Sequence, residues 1–287
     1  TLEPCSHYGK TPPCTKKIIS KKINRVVFSI NDVDLRSKNQ ASKKLLKKKI
    51  KIKKLLSNNF AKNFYQSYFI QPTTELPFID GKLAVSKDFL TIRKKNRWIT
   101  NYKSRKVANF LRSKYDCLLT TSKTINEDNP LLNCRVEGLE KKSPDLIILD
   151  NLLNVKKNSL IFKKSKRKIY ILTNVDNFSK EHYLKNKGVK IIKLKKTNNH
   201  LTDLKNIFYV IKKIGLNRIL VETGATFLDQ LVKNSLIKNF YLFKSSINLG
   251  TKGLNNTNPV YLKKINFSKK NKIKVNLKED ILYKVKI

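Results

Sequence analysis

A chain of 287 residues with 63 Lys+Arg against 20 Asp+Glu is long enough for two modest domains, each with a core of its own. No apolar run approaches the roughly 20 residues that a bilayer-spanning helix needs, which excludes a helical membrane protein and leaves a soluble one. A net charge of +43 ordinarily points to nucleic acid or an anionic surface. Here it is carried by Lys rather than Arg, with heavy use of Asn and Ile, the imprint of an AT-rich genome on a solvated surface. Runs such as Lys47-Lys48-Lys49 and Lys269-Lys270 have no interleaved aromatic residues to stack on bases. Neither nucleic acid nor membrane is therefore expected as a partner, although the same field attracts phosphorylated small molecules.

The chain contains no Met and opens on Thr1-Leu2-Glu3-Pro4 without a basic or apolar leader, so it reads as a fragment of a longer protein. Cys5 and Cys14 sit in a metal-type setting, and Cys117 and Cys134 lie in unrelated segments; a reducing cytoplasm is the simpler compartment. The first elements are a Pro-rich turn, a helix from Cys14 to about Lys22, and a strand Arg25–Ile30. Lysine-rich and mixed helices follow at Ser42–Lys49 and Asn59–Phe69. Two prolines frame Gln71-Pro72-Thr73-Thr74-Glu75-Leu76-Pro77, the best linker candidate, which divides the chain into residues 1–74 and 75–287.

Beyond the linker, strands and helices alternate. Phe78–Val85, Asp116–Thr121, Leu146–Leu149, Lys168–Leu172 and Arg218–Glu222 read as strands, several of them continuous apolar runs of the buried parallel kind. Ser104–Lys114, Ser179–Asn186, Leu201–Ile214 and Thr226–Ser235 read as helices, the third ending at Gly215 as a C-cap. Lys272–Leu277 and Ile281–Ile287 are expected to close the chain as a hairpin. The sum is an α/β domain around a mostly parallel sheet.

The most specific stretch is Thr1-Leu2-Glu3-Pro4-Cys5-Ser6-His7-Tyr8-Gly9-Lys10-Thr11-Pro12-Pro13-Cys14. Two cysteines, each preceded by proline, can offer two thiolates to one cation, and a second cysteine at a helix start gains from the helix dipole. A structural zinc knuckle or two unrelated cysteines are the plainer alternatives. The eight residues between the cysteines, with Ser-His-Tyr-Gly-Lys-Thr-Pro-Pro inside, resemble the zinc deaminase domain of the RibD family, a cytidine-deaminase-like α/β domain. The resemblance implies zinc at Cys5 and Cys14 and a substrate-facing loop at His7. It also implies a His-Ala-Glu segment supplying the third ligand and the proton shuttle. None of the three His residues is followed two places on by Glu, so the chain as given is not expected to deaminate.

Several later stretches resemble the same family's NADPH-dependent reductase, whose fold is like that of dihydrofolate reductase. Lys82-Leu83-Ala84-Val85-Ser86-Lys87-Asp88 matches its Lys-x-Ala-x-Ser-x-Asp strand, with Phe89 where glycine is usual, and Trp98-Ile99-Thr100 matches its Trp-Ile-Thr element. Thr121 to Arg135 resembles its long Thr, Asp-x-Pro-x-Leu, Arg motif. The resemblance implies cofactor contacts at Ala84, Trp98, Thr124, Asp128, Asn151, Gly224, Ala225 and Thr226. It implies substrate contacts at Asn96, Arg112, Leu132, Arg135 and Glu222, with Lys82, Asp128 and Glu222 around the opening sugar ring. The residue types suit that chemistry: Arg binds phosphate through a planar fork, and Arg112 and Arg135 stand out in a Lys-rich chain, though a pair of surface arginines would look the same. Val221-Glu222-Thr223-Gly224-Ala225-Thr226 reads as strand, glycine, helix start, which can present backbone N–H groups to phosphate; steric relief at the turn is the alternative. The family implies removal of an amino group from a diaminopyrimidinone carrying a phosphoribosylamino group, then reduction of the ribosyl group to ribityl. It also implies a homo-oligomer. Two rivals stay open: a nucleic-acid base deaminase, which predicts salt-dependent oligonucleotide binding, and a non-catalytic remnant, which predicts no NADPH binding.

Overall fold

The computed structural model describes residues 1–55, 59–70, 74–94, 98–163 and 166–287. The chain falls into two compact units, Thr1–Glu75 and Leu76–Ile287. Part of the expected linker, residues 71–73, lies outside the described residues.

The first unit runs α1 (Cys14–Ser20), β1 (Arg25–Phe28), α2 (Gln40–Leu46), β2 (Lys51–Lys54), α3 (Asn59–Phe64) and α4 (Gln66–Ile70). Strands β1 and β2 pair in parallel, Arg25 opposite Lys51. Strand β2 escapes a periodicity reading because Lys-Ile-Lys-Lys leaves three of its four residues exposed. The motif residue Glu3 is 3 % exposed and works as an anchor: its carboxylate accepts the N–H groups of Asp32 (3.2 Å), Asn39 (3.0 Å) and Ala41 (3.1 Å), fastening the start of α2.

The second unit runs β3 (Phe78–Val85), β4 (Ile92–Arg93), α5 (Tyr102–Arg112), β5 (Cys117–Thr121), α6 (Ser122–Asp128), β6 (Asp145–Leu149), β7 (Ile169–Thr173), α7 (Phe178–Asn186), β8 (Val189–Lys193), α8 (His200–Lys213), β9 (Arg218–Val221), α9 (Ala225–Lys233), β10 (Asn239–Lys244), β11 (Gly253–Leu254), α10 (Val260–Lys263) and β12 (Ile281–Lys286). Its eight-stranded sheet has the order β12-β10-β3-β9-β5-β6-β7-β8. Every pairing is parallel except β10 with β12, so the mostly parallel sheet expected from the sequence is what forms. Helix α5 starts two residues before the expected point because Asn101 caps it, its side chain accepting the Ser104 N–H at 3.0 Å. Gly215 follows α8 with φ +91°, the left-handed C-terminal position anticipated for it.

The closing hairpin does not form. Lys272 makes one isolated antiparallel bridge to Tyr283, and β12 pairs instead with β10. The physical reason is a competing use of the intervening turn. Asp280 accepts Asn101 N–H at 2.8 Å and the Ser104 hydroxyl at 2.6 Å, and the Leu277 carbonyl accepts Asn101 Nδ2 at 2.6 Å, which commits residues 277–280 to the start of α5.

Side-chain alternation sorts the core onto two faces. Ile79, Leu83 and Val85 of β3, Cys117 and Leu119 of β5, and Ile219 and Val221 of β9 pack with Leu204, Ile207, Phe208 and Ile211 of α8 and with Leu228 and Leu231 of α9. On the opposite face Leu118, Leu146, Ile148, Ile169 and Ile171 meet Ile125 and Leu184, while Leu220 and Phe243 meet Ala108 and Leu111 of α5. Gly81 is where the first face is tightest: a Cβ there would lie 2.8 Å from Ile237 Cδ1 and 2.9 Å from Phe240 Cδ2.

Candidate active site

Lys82 on β3 is out of phase with Ile79, Leu83 and Val85, and Glu222, one residue past β9, is out of phase with Ile219 and Val221. Both therefore emerge on the face where α5 packs. There Lys82 Nζ lies 3.3 Å from Glu222 Oε2 and 5.7 Å from the centroid of the Phe243 ring. Arg112, the last residue of α5, grips the same carboxylate through two bonds, Nε to Oε1 at 2.7 Å and Nη2 to Oε2 at 3.0 Å. Its Nη1 donates to Asn109 Oδ1 at 3.2 Å and to the Asn133 carbonyl at 3.1 Å. Four of the five guanidinium N–H groups are thus engaged within the protein.

Burial would push the Glu222 carboxyl up. The neighbouring Arg112 guanidinium and Lys82 ammonium outweigh it and hold the carboxyl down to about 2, so Glu222 is an anion at neutral pH. Burial likewise works against the Arg112 cation, and Glu222 more than reverses it, leaving that group above its ordinary value.

The remaining residues surround this cluster unequally. Ala84 is half-buried on β3, on the same face as Lys82. Thr121 caps α6, accepting the Thr124 N–H at 3.3 Å, and the two hydroxyls lie 3.1 Å apart. Asp128 closes α6 in an exposed position. Leu132 is 5 % exposed with φ +52°, a conformation that leucine rarely adopts. Arg135 is exposed. Trp98 is half-exposed, with the Arg105 guanidinium 4.5 Å from its ring centroid. Asn96 lies outside the described residues. Asn151 follows β6 and is exposed; its carbonyl accepts Asn174 N–H and the Thr173 hydroxyl, each at 3.2 Å.

Two residues after Glu222, Gly224 is the N-cap of α9, with no side chain capping the helix and nothing within 4 Å of the position a Cβ would take. Ala225 is buried, and the hydroxyl of exposed Thr226 lies 2.8 Å from that of Thr257. After β3, Phe89 adopts φ +65°, so a bulky side chain occupies a glycine-type conformation and packs near Phe267, ring centroids 6.5 Å apart. Asp88 accepts the Ser86 hydroxyl at 2.6 Å and the N–H groups of Leu249 (3.1 Å) and Gly250 (2.8 Å), tying the Leu249-Gly250 segment to this turn. Asn109 was not singled out in the sequence; its role is to second the Arg112 side chain, which leaves no motif.

In the first unit Cys14 opens α1 and donates its backbone N–H to Cys5 Sγ at 3.2 Å. The hydrogen bond that the Cys14 thiol shares with Cys5 raises it above its ordinary value, with partial burial adding to it. His7 turns to Ser37 instead, Nδ1 to Oγ 2.7 Å, and its Nε2 lies 3.9 Å from Asp34 Oδ2. Among the described residues no group of three His, Cys, Asp or Glu could hold a metal. A catalytic zinc needs three protein ligands, so the two thiols do not by themselves fit one.

Residues 79–278, most of the second unit, match the family model described as the RibD C-terminal domain. The chain belongs to the RibD family. The riboflavin biosynthesis protein RibD of Aquifex aeolicus is 32 % identical over 245 residues, covering 85 % of this chain and 67 % of that protein. Among solved structures, Acinetobacter baumannii RibD superposes over 100 % of this chain and 79 % of its own, with TM-score 0.82 and 21 % identity. The yeast riboflavin biosynthesis reductase Rib7 covers 78 % of this chain and 98 % of its own, with TM-score 0.56 and 21 % identity. At these identities the two structures establish the fold, an α/β reductase fold of the RibD and Rib7 type. Lys82, Arg112 and Glu222 all fall inside the matched RibD segment.

Proposed function

We propose that this chain reduces 5-amino-6-(5-phosphoribosylamino)uracil to its ribityl counterpart with NADPH, a step of riboflavin biosynthesis. The buried cluster of Lys82, Glu222 and Arg112 supports this reading most directly. Reduction must break the bond between the sugar's C1 and its ring oxygen, form a C–H bond at C1, and leave a proton on that oxygen. NADPH supplies the hydride when bound; the protein supplies position and charge. Lys82 is the ammonium aimed at the cluster and delivers the proton. Glu222, an anion at neutral pH, accepts from sugar hydroxyls and orients Lys82.

Arg112, with four of its N–H groups engaged by protein, sets the Glu222 carboxylate, and Arg135 would meet the substrate phosphate. The start of α9 fits the pyrophosphate of a dinucleotide, since no side chain caps it and Gly224 leaves the approach open. Trp98, Thr124, Asp128, Asn151, Ala225 and Thr226 would line the rest of the cofactor, and Leu132 the pyrimidine. Cys5 and Cys14 would furnish two thiolates to a zinc completed by other ligands.

The test follows NADPH absorbance with purified protein and the aminouracil substrate. Turnover is expected in the parent and lost in Lys82→Ala, with NADPH affinity by fluorescence titration unchanged. Absence of NADPH binding in the parent would overturn the reading, and unchanged turnover in Lys82→Ala would remove Lys82 from its role.

A further inference from the structure

We infer that Arg167, which no motif marks, is a positioning residue for the substrate side of this site: it clamps the 131–133 loop and so places Leu132 and Arg135. The inference rests on the reductase reading above. Arg167 stands just before β7. Its neighbour Lys168 is fixed to the sheet, donating its N–H to Asp145 Oδ1 at 3.0 Å and accepting Leu146 N–H at 2.9 Å. From that base the guanidinium donates Nη1 to the Leu132 carbonyl at 2.5 Å and Nη2 to the Leu131 carbonyl at 2.6 Å. The next carbonyl, Asn133, takes Arg112 Nη1 at 3.1 Å.

Three successive carbonyls therefore converge on two guanidinium groups. An extended chain would send successive carbonyls to opposite sides; the left-handed turn at Leu132, φ +52°, lets them converge. Such a backbone persists in a buried leucine only where its surroundings over-determine it, and the two arginines do so here. Burial, joined by the Arg112 charge, pulls the Arg167 guanidinium down to about 10, so this cation is held where its surroundings disfavour it. The connection to the chemistry is continuous: Glu222 to Arg112, Arg112 to the Asn133 carbonyl, and Arg167 to the two carbonyls before it. Arg135 lies two residues further on.

A lysine cannot reproduce the clamp, because one ammonium does not span two carbonyls in a fixed plane. The test compares Arg167→Lys, which keeps the charge, with Arg167→Met, which keeps the apolar stem. In the parent background of measurable turnover, both are expected to raise KM for the aminouracil substrate about tenfold, with kcat within about twofold and KM for NADPH unchanged, as misplaced contacts remote from the chemistry do. A purely structural role would lower apparent kcat with the folded fraction and leave both KM values unchanged. Equal KM for the substrate in folded variants, or a matching rise for NADPH, would overturn the inference. Hydrogen exchange at the amides of residues 131–136 provides a readout independent of catalysis. Faster exchange in Arg167→Met supports the clamp and unchanged exchange refutes it, even if the parent proves inactive with this substrate, a result that would count against the proposed function alone.

Discussion

Replacing Glu222 with Gln removes one negative charge from a carboxylate that Arg112 and Lys82 share, and keeps the shape of the side chain. Two routes give the size of the effect. The carboxyl is lowered from 4.5 to about 2, and at roughly 1.4 kcal/mol per unit this amounts to about 3 kcal/mol of preference for the charged form in the folded state. Removing one partner from a buried ion pair costs about 3–5 kcal/mol in other proteins, because the remaining charge is left uncompensated; here two cations would remain. The expected loss is therefore about 3 kcal/mol, which for a unit of this size lowers Tm by about 6–12 °C. Because the folded-state pKa lies below the unfolded one, the stabilisation is complete above about pH 4.5 and is lost as pH falls through about 2. Glu222→Gln should lack that part of the acid transition. Thermal melts of parent and variant across this range provide the assay, and adding Arg112→Met to the variant should recover part of the loss. A Gln variant that melts within about 2 °C of the parent, or that keeps the parent's acid transition, would refute the account of Glu222 as a charge-paired anion.

Gly81→Ala should destabilise the second unit by about 1–3 kcal/mol in urea unfolding, since its Cβ would intrude on Ile237 and Phe240 in a packed core; a neutral result would mean that this face has slack. At residue 89 the usual order of Ala above Gly should reverse. Phe89→Ala loses the packing near Phe267 and keeps the left-handed strain, while Phe89→Gly sheds the strain, so Gly should be the more stable by about 1 kcal/mol. A strong zinc chelator should leave NADPH oxidation unchanged, because the reductase cluster contains no metal ligand set among the described residues; loss of turnover on chelation would contradict the assignment of chemistry to Lys82 and Glu222.

The parallel strands were legible because continuous apolar runs such as Leu146–Leu149 are buried on both faces. What the sequence hid lies at the edges and in side chains serving other side chains. Strand β8, Val189–Lys193, carries lysines at both Lys190 and Lys193 because it borders the sheet, where charge guards against further pairing. Helix α6 reads as loop by composition and forms because Thr121 caps it. The failed closing hairpin has the same origin, since Asp280 and Leu277 serve α5 rather than the hairpin turn. In the site, Lys82 and Glu222 were readable from their motifs, and the structure brings them together, but nothing local marks Asn109 or Arg167, whose partners lie 3 and 35 residues away in sequence.

Arginine usage connects these observations. In a chain that spends its positive charge on lysine, the described arginines of the second unit sit where a planar fork has a task. Arg93 and Arg105 donate to the carbonyls of Trp98 and Thr100, and Arg105 stacks on the Trp98 ring. Arg112 holds Glu222, Arg167 holds Leu131 and Leu132, and Arg218 lies against the rings of Phe78 and Tyr115. Arg135 differs in being exposed. Lys82 runs the other way, a half-buried lysine between a carboxylate and an aromatic ring in a protein whose lysines are mostly exposed. An ammonium can rotate and hand on a proton, which a guanidinium effectively cannot. The substitution that separates these demands is Lys82→Arg. It preserves the positive charge beside Glu222 and should still abolish turnover, and an active Lys82→Arg enzyme would show that the position needs only charge.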